Sequence, residues 1–218
     1  MKICIISDTH GKHKQLNLPD ADMIIHCGDS TSVGKEHEIH KFMKWFSKLE
    51  QYKYKLIIAG NHDWLFERNC SLAKTHIPDN INYLEDSEIV IKGIKFYGTP
   101  VQKPFNNWAF NRPESKLAEH WKAIPDDTDV VITHSPPYGI GDYVNWSGEN
   151  QGSPSLYTEI VNRINCSLSV FGHIHEGYGI KVIKNTTFIN ASVLDENYMC
   201  VNNPILVELI DKKIRIIN

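Results

Sequence analysis

No stretch of the 218-residue chain approaches the roughly 20 consecutive apolar residues of a membrane-spanning helix, so no membrane partner is expected. An excess of positive charge is missing as well. The 23 Lys and Arg stand against 26 Asp and Glu, a net charge of −3. Binding to long polyanions leans on a basic footprint, so duplex nucleic acid is not an expected partner. Cysteines are few and scattered. Cys4, Cys27, Cys70, Cys166 and Cys200 are odd in number and in no metal-ligand spacing, which argues against a disulfide framework. The first apolar run begins at residue 2, which leaves no room for a removable signal peptide; a cytoplasmic location is expected. Repeats, low-complexity tracts and linkers are also lacking, and residues 1–218 are expected to form one domain.

What the chain has instead is a succession of short β-branched runs. Residues 2–7, 22–27, 55–59, 129–133 and 167–171 are nearly continuous in apolar side chains, as strands covered on both faces are. Residues 36–51 place Ile39, Phe42, Met43, Phe46 and Leu49 at helical spacing, with charges between. A short helix is expected over 117–124. Another is expected over 153–164, with Ser153 as N-cap and Pro154 in its first turn. Later runs carry hairpin signatures, with turns at Lys92-Gly93, Asn185-Thr186 and Asp211-Lys212. Two stretches, 99–113 and 135–153, are long, irregular and aromatic. Such segments in a compact domain are usually functional loops.

Ionisable residues fall at the ends of the strands. The first leads into Asp8 and His10, the second into Asp29, and the third into Asn61, His62 and Asp63. The fourth leads into His134 and the fifth into His173 and His175. In open α/β sheets this edge is where ligand sites form. A His-x-His pair is weak alone in a chain with 11 histidines, but Gly-Asn-His-Asp is expected on the order of 0.003 times by chance. In extended chain, residues i and i+2 face one way, so Asp8 with His10, and His173 with His175, are expected to address one site. A Gly before Asp29, Asn61 and His173 permits a tight turn and close approach. Mixed oxygen and imidazole donors suit Mn, Fe or Zn, and seven donors are more than one ion takes, so two divalent ions are expected.

The order Asp-x-His, Gly-Asp, Gly-Asn-His-Asp, His, Gly-His-x-His resembles the signature of calcineurin-like metallophosphoesterases. The blocks "YGTPVQKPFNNWAFN", "FGHIHEGYGI" and "FINAS" resemble the metallophosphoesterase-domain-containing subgroup and its microbial relatives. The resemblance implies an α/β fold, a four-layer αββα sandwich of two mixed β-sheets flanked by helices. It puts Asp8, His10 and His175 on one metal, Asn61, His134 and His173 on the other, and Asp29 between them. His62 would face the substrate phosphate or leaving group as the catalytic side chain. Some relatives carry Gly where His173 stands; this chain keeps the imidazole. The implied activity is hydrolysis of a small phosphodiester, with a cyclic nucleotide as substrate class, by attack of a metal-bridging hydroxide on phosphorus. The alternatives are a phosphomonoesterase or protein phosphatase using the same centre, and a nucleotide-binding protein with little catalysis. Asn106 is read as a polar group near the phosphate. Phe105, Trp108 and Phe110 are read as packing residues, with base stacking as the alternative. Asp63 either caps the turn or the following helix, or orients His62. His13, His26, His37, His40, His76 and His120 are read as structural or surface residues.

Overall fold

A computed structural model describes residues 1–217. The early chain alternates strand and helix: β1 (Lys2–Ile6), β2 (Met23–His26), α1 (Glu36–Ser47), β3 (Tyr54–Ile57), α2 (Trp64–Arg68), α3 (Cys70–Thr75) and β4 (Asn82–Tyr83). Next come the hairpin β5 (Ser87–Ile91) and β6 (Ile94–Thr99), then α4 (Glu114–His120) and β7 (Val130–Thr133). A small hairpin, β8 (Tyr143–Val144) and β9 (Glu149–Asn150), precedes α5 (Pro154–Glu159) and β10 (Leu168–Phe171). The chain closes with β11 (Gly179–Ile183), β12 (Thr186–Asn190), β13 (Ile205–Ile210) and β14 (Lys213–Ile216).

Two six-stranded sheets result, ordered β14-β13-β1-β2-β3-β4 and β11-β12-β10-β7-β6-β5. Both are mixed. In the first, β1 to β4 run parallel, β13 runs antiparallel to β1, and β14 antiparallel to β13; in the second, β12, β10, β7 and β6 run parallel between antiparallel β11 and β5.

Alternation along the strands builds the layers. Ile3, Ile5, Ile25 and Leu56 of the first sheet meet Phe96, Ile132, Val170 and Ile189 of the second in one buried cluster. Cys4, Ile6, Ile24 and Ile57 point the other way, onto Ile39, Phe42, Met43 and Phe46 of α1. On the far side Val131, Phe171 and Phe188 pack on Leu117, Trp121, Leu156 and Ile160. The order is helix, sheet, sheet, helix, the four-layer αββα arrangement that the sequence implies. Ser7, just past β1, bridges to Ser192, just past β12, so the sheets are joined where the motif residues lie.

Some boundaries differ from expectation. Helix α1 stops at Ser47 rather than at 51, because the chain folds back to bury Tyr52, whose hydroxyl donates to the Pro19 carbonyl at 2.5 Å. The hairpin of β11 and β12, expected to turn at Asn185-Thr186, turns at Lys184 and Asn185, one residue early. The Thr186 hydroxyl donates to the Cys166 carbonyl at 2.6 Å and draws that residue into β12. The helix expected over 117–124 starts at Glu114 and ends in a 3₁₀ turn, Trp121–Ala123. Ser153 caps α5 as expected, its Oγ accepting from the Leu156 amide. Among the described residues no helix is long and apolar enough to cross a membrane.

Candidate metal centre

The C-terminal ends of β1, β2, β3, β7 and β10 converge, and the seven side chains expected from the sequence meet there. Their donor atoms form interlocking groups that could hold a metal ion. Asp8, His10 and His175 make one; Asp29, His134 and His173 make another; His10 and Asp29 also lie close to His62. Asp29 belongs to two groups, with its Oδ2 3.6 Å from His10 Nε2 and 3.4 Å from His134 Nε2. Asn61 joins the second group through its Oδ1, 2.9 Å from His134 Nε2.

The backbone that delivers these residues is not the extended chain assumed for the Asp-x-His and His-x-His couplets. Asp8, His10, Asp29 and His173 have φ of 55°, 40°, 56° and 68°, in the left-handed region. Tertiary hydrogen bonds hold this costly geometry. The Asp8 and His10 amides donate to the Gly28 and Asp29 carbonyls at 3.0 Å each, and the His173 amide donates to the Asp8 carboxylate. The expected close approach at glycine is present. A Cβ on Gly60 would lie 2.2 Å from Asp29 Oδ1, and one on Gly172 would lie 2.0 Å from Asp8 Oδ2.

Three imidazoles are aimed in the same manner. Nδ1 of His134 donates to the Cys27 carbonyl at 2.9 Å, Nδ1 of His175 to the Asp195 carbonyl at 2.8 Å, and Nδ1 of His62 to the Ser32 carbonyl at 2.6 Å. A carbonyl only accepts, so Nδ1 carries a proton in each ring and Nε2 is the nitrogen turned to the site, where a metal ion would displace any proton it holds. Burial lowers the His134 and His175 imidazoles, but the neighbouring Asp29 and Asp8 carboxylates outweigh it and raise both to about 9. Burial wins at His10, down to about 4, and at His173, down to about 3. Burial also pushes Asp8 and Asp29 upward, but the histidines beside them hold both below the usual carboxylate range.

Buried carboxylates set among imidazoles are a suitable setting for cations. Both ring nitrogens of His10 and the Asn61 Nδ2 are buried without a hydrogen-bond partner, although His10 Nε2 faces Asp29 at 3.6 Å. The oxygen and imidazole donor set, with the His10 ring nitrogens unpaired, fits divalent metal.

Asp63 proves to be a clamp. Its carboxylate accepts from the amides of Ser30, Thr31 and Gly60 and from the hydroxyls of Ser30 and Thr31, at 2.7–3.1 Å, and so ties the Asp29 loop to the Asn61 loop. It makes no side-chain cap to α2. Phe110 is buried, as a packing residue should be, whereas Phe105 is 41% exposed and Trp108 lies against His62. Asn106 lines a cleft of about 580 Å³ over the metal-capable groups, together with Lys103, Phe105, Trp146 and Tyr198.

Sequence reasoning missed three supports. Ser192 Oγ donates to Asp8 Oδ2 at 2.8 Å, the Asp195 carbonyl holds His175, and the Tyr198 ring stands edge-on to His10 and His175. The "FINAS" block that carries the resemblance runs into Ser192 and was the available signal.

The sequence profile of calcineurin-like phosphoesterases matches residues 1–177. The chain belongs to the calcineurin-like phosphoesterase family. Human metallophosphoesterase domain-containing protein 1 is 37% identical over 230 residues, covering 95% of this chain and 70% of that protein. A Caenorhabditis elegans UPF0046 protein is 34% identical over 220 residues, covering 94% and 74%. One crystal structure aligns over 99% of this chain and 97% of its own, with a TM-score of 0.69 at 19% identity. A putative 5′-nucleotidase from Staphylococcus aureus aligns over 99% of this chain and 52% of its own, with a TM-score of 0.57 at 12% identity. At these identities the structural matches speak for the fold. Calcineurin-like phosphoesterases are hydrolases of phosphoesters that use divalent metal, and the side chains gathered here are suited to that chemistry.

Proposed function

We propose that the protein is a phosphodiesterase for a small diester, with a cyclic nucleotide as the substrate class, acting as one domain with two divalent ions. The observation that carries this reading is the joint placement of Asp8, His10, Asp29, Asn61, His134, His173 and His175 under an aromatic cleft. Asp8, His10 and His175 would hold one ion, Asn61, His134 and His173 the other, with Asp29 shared. Mn, Fe and Zn all suit these donors. When bound, such a pair supplies positive charge beside the phosphate and a water of lowered pKa.

The rest falls to the chain. His62 lines the cleft, its Nδ1 is occupied by the Ser32 carbonyl, and its Nε2 is free for the leaving oxygen. As water oxygen bonds to phosphorus and releases a proton to solvent, the P–O bond to the leaving group breaks. His62 acts here as imidazolium: the proton on Nε2 passes to the leaving oxygen, the Nδ1–H stays on the Ser32 carbonyl, and solvent returns the Nε2 proton afterwards. Phe105 and Trp146, the latter 83% exposed, offer ring faces to a base, and Asn106 offers an amide at the rim. The cleft is of the size that takes a nucleotide-sized ligand.

Replacing His62 with Ala should lower turnover about 100-fold while two metals remain bound. Loss of a metal in that variant would make His62 a ligand instead. The main test is a screen of cyclic and linear phosphoesters with Mn, Fe, Ni or Zn, with metal content measured in parallel. Turnover of bis(p-nitrophenyl) phosphate above p-nitrophenyl phosphate is expected. The reverse preference would make the protein a monoesterase, and binding without hydrolysis under any metal would make it a nucleotide-binding protein.

A further inference from the structure

The long irregular loop after β6 has no regular structure of its own, yet it is tied down at many points. Gln102 and Phe110 pair across its base, where the Gln102 amide donates to the Phe110 carbonyl at 3.0 Å. Inside it, Asn111 acts as a brace. Its Oδ1 accepts from the Phe105 amide and from Gln102 Nε2, and its Nδ2 donates to the carbonyls of Phe105 and Asn106. The loop is also pinned to the segment that carries His62. The Ala109 amide donates to the Asn61 carbonyl at 3.2 Å, and the Phe110 amide donates to Glu67 at 2.9 Å. Hydrogen bonds on both sides of one residue thus hold its backbone beside the His62 segment, and that residue is Trp108. Its indole lies on the His62 imidazole, centroid to centroid 4.0 Å, with planes 21° apart.

The other restraints on His62 are of matching quality. Ser32, whose carbonyl takes the Nδ1 proton, is held by its own amide donating to Glu38 and by its hydroxyl donating to the His10 carbonyl at 3.1 Å. The His10 ring meets His62 edge-on at 4.5 Å. The Ser32 bond fixes which nitrogen is free, and the Trp108 face fixes the plane in which it lies. Neither restraint alone stops the ring from turning.

We propose that Trp108 is a positioning residue: its indole stacks on His62 and holds the imidazole plane so that Nε2 addresses the leaving oxygen. This rests on the reading that His62 serves the leaving group. Trp108 donates nothing to the substrate and acts through the histidine.

The test compares metal-loaded Trp108→Leu, which keeps apolar bulk but has no ring face, and Trp108→Phe, which keeps a ring, with His62→Ala measured alongside. Two substrates of graded demand are used. Bis(p-nitrophenyl) phosphate releases a phenolate that is stable unprotonated; diphenyl phosphate releases one that gains more from a proton. If the protein prefers monoesters, the corresponding monoesters carry the same comparison. Trp108→Leu is expected to lose about tenfold or more in kcat on the phenyl ester with KM little changed, and to lose at most about threefold on the nitrophenyl ester. Trp108→Phe should restore most of the loss. In nitrogen NMR of labelled histidine, the protonated Nδ1 of His62 should be a sharp signal in the parent and the Phe variant, and be averaged in the Leu variant. Equal kcat losses on both esters, wild-type kcat in Trp108→Leu, or an unchanged Nδ1 signal would overturn the assignment. If His62→Ala turns over both esters normally, the reading of His62 fails first. If His62→Ala is slow while Trp108→Leu is not, only the role of Trp108 fails.

Discussion

Asp63 shows how much a single buried side chain can organise. Five donors converge on its carboxylate, and it has no exposure to water. Burial and the Asp29 charge push its pKa up, against the pull of the donors from Thr31, Gly60 and Ser30. Asn in its place keeps the shape but turns one accepting oxygen into an NH₂ that faces other donors. The loss of charged hydrogen bonds should cost about 3 kcal/mol, read as a lower urea midpoint at unchanged slope. An unchanged midpoint would mean that the clamp contributes nothing. His173 poses the opposite case. Its φ of 68° suits glycine, so His173→Gly should change stability by no more than about 1 kcal/mol while removing an imidazole. Metal titration by calorimetry should then show one tight ion and one weakened ion; two unchanged sites would undo the ligand assignment.

At the scale of elements, the centre depends on how closely strand ends approach each other. The turn after β10 passes so near β1 that a Cβ on Gly172 would lie 2.0 Å from Asp8 Oδ2 and 2.1 Å from Ser7 Oγ. Gly172→Ala should therefore push Asp8 out of register and weaken metal binding about tenfold or more, a loss that a chelator competition would read. Metal affinity equal to that of the parent would show that the loop absorbs the methyl. Close approach between distant segments also separates what was legible in the sequence from what was not. Five strand ends were legible because β-branched runs stop at polar motifs, and the layers were legible through the resemblance. The left-handed backbone at Asp8, His10, Asp29 and His173 was not, because nothing local favours it. Amides reaching across to another loop impose it. The block that ends at Ser192 was legible, but the contacts of Ser192 and Asp195 were not: they reach 184 residues back to Asp8 and 20 back to His175, and form only when β12 comes beside β10.

The whole molecule is joined at this centre. Asp8, His10, Asp29 and Asn61 come from the first sheet, His134, His173 and His175 from the second. Between the sheets lies one shared apolar core, so neither sheet can unfold without exposing the other. Ions held by donors from both sheets stabilise only the state in which the sheets are docked. At a free metal concentration of about 100 Kd, each ion adds about 2.7 kcal/mol. For a chain of this size, two ions should raise the melting temperature by about 10 °C or more over the chelated protein. Calorimetry with metal and with chelator should show one transition in each case, because the gain is shared by both sheets through their common core. A second transition that stays at the chelated temperature would place the ions within one sheet alone. A bound but thermally silent pair would mean that the unfolded chain holds metal equally well, which scattered donors from five strands give no reason to expect.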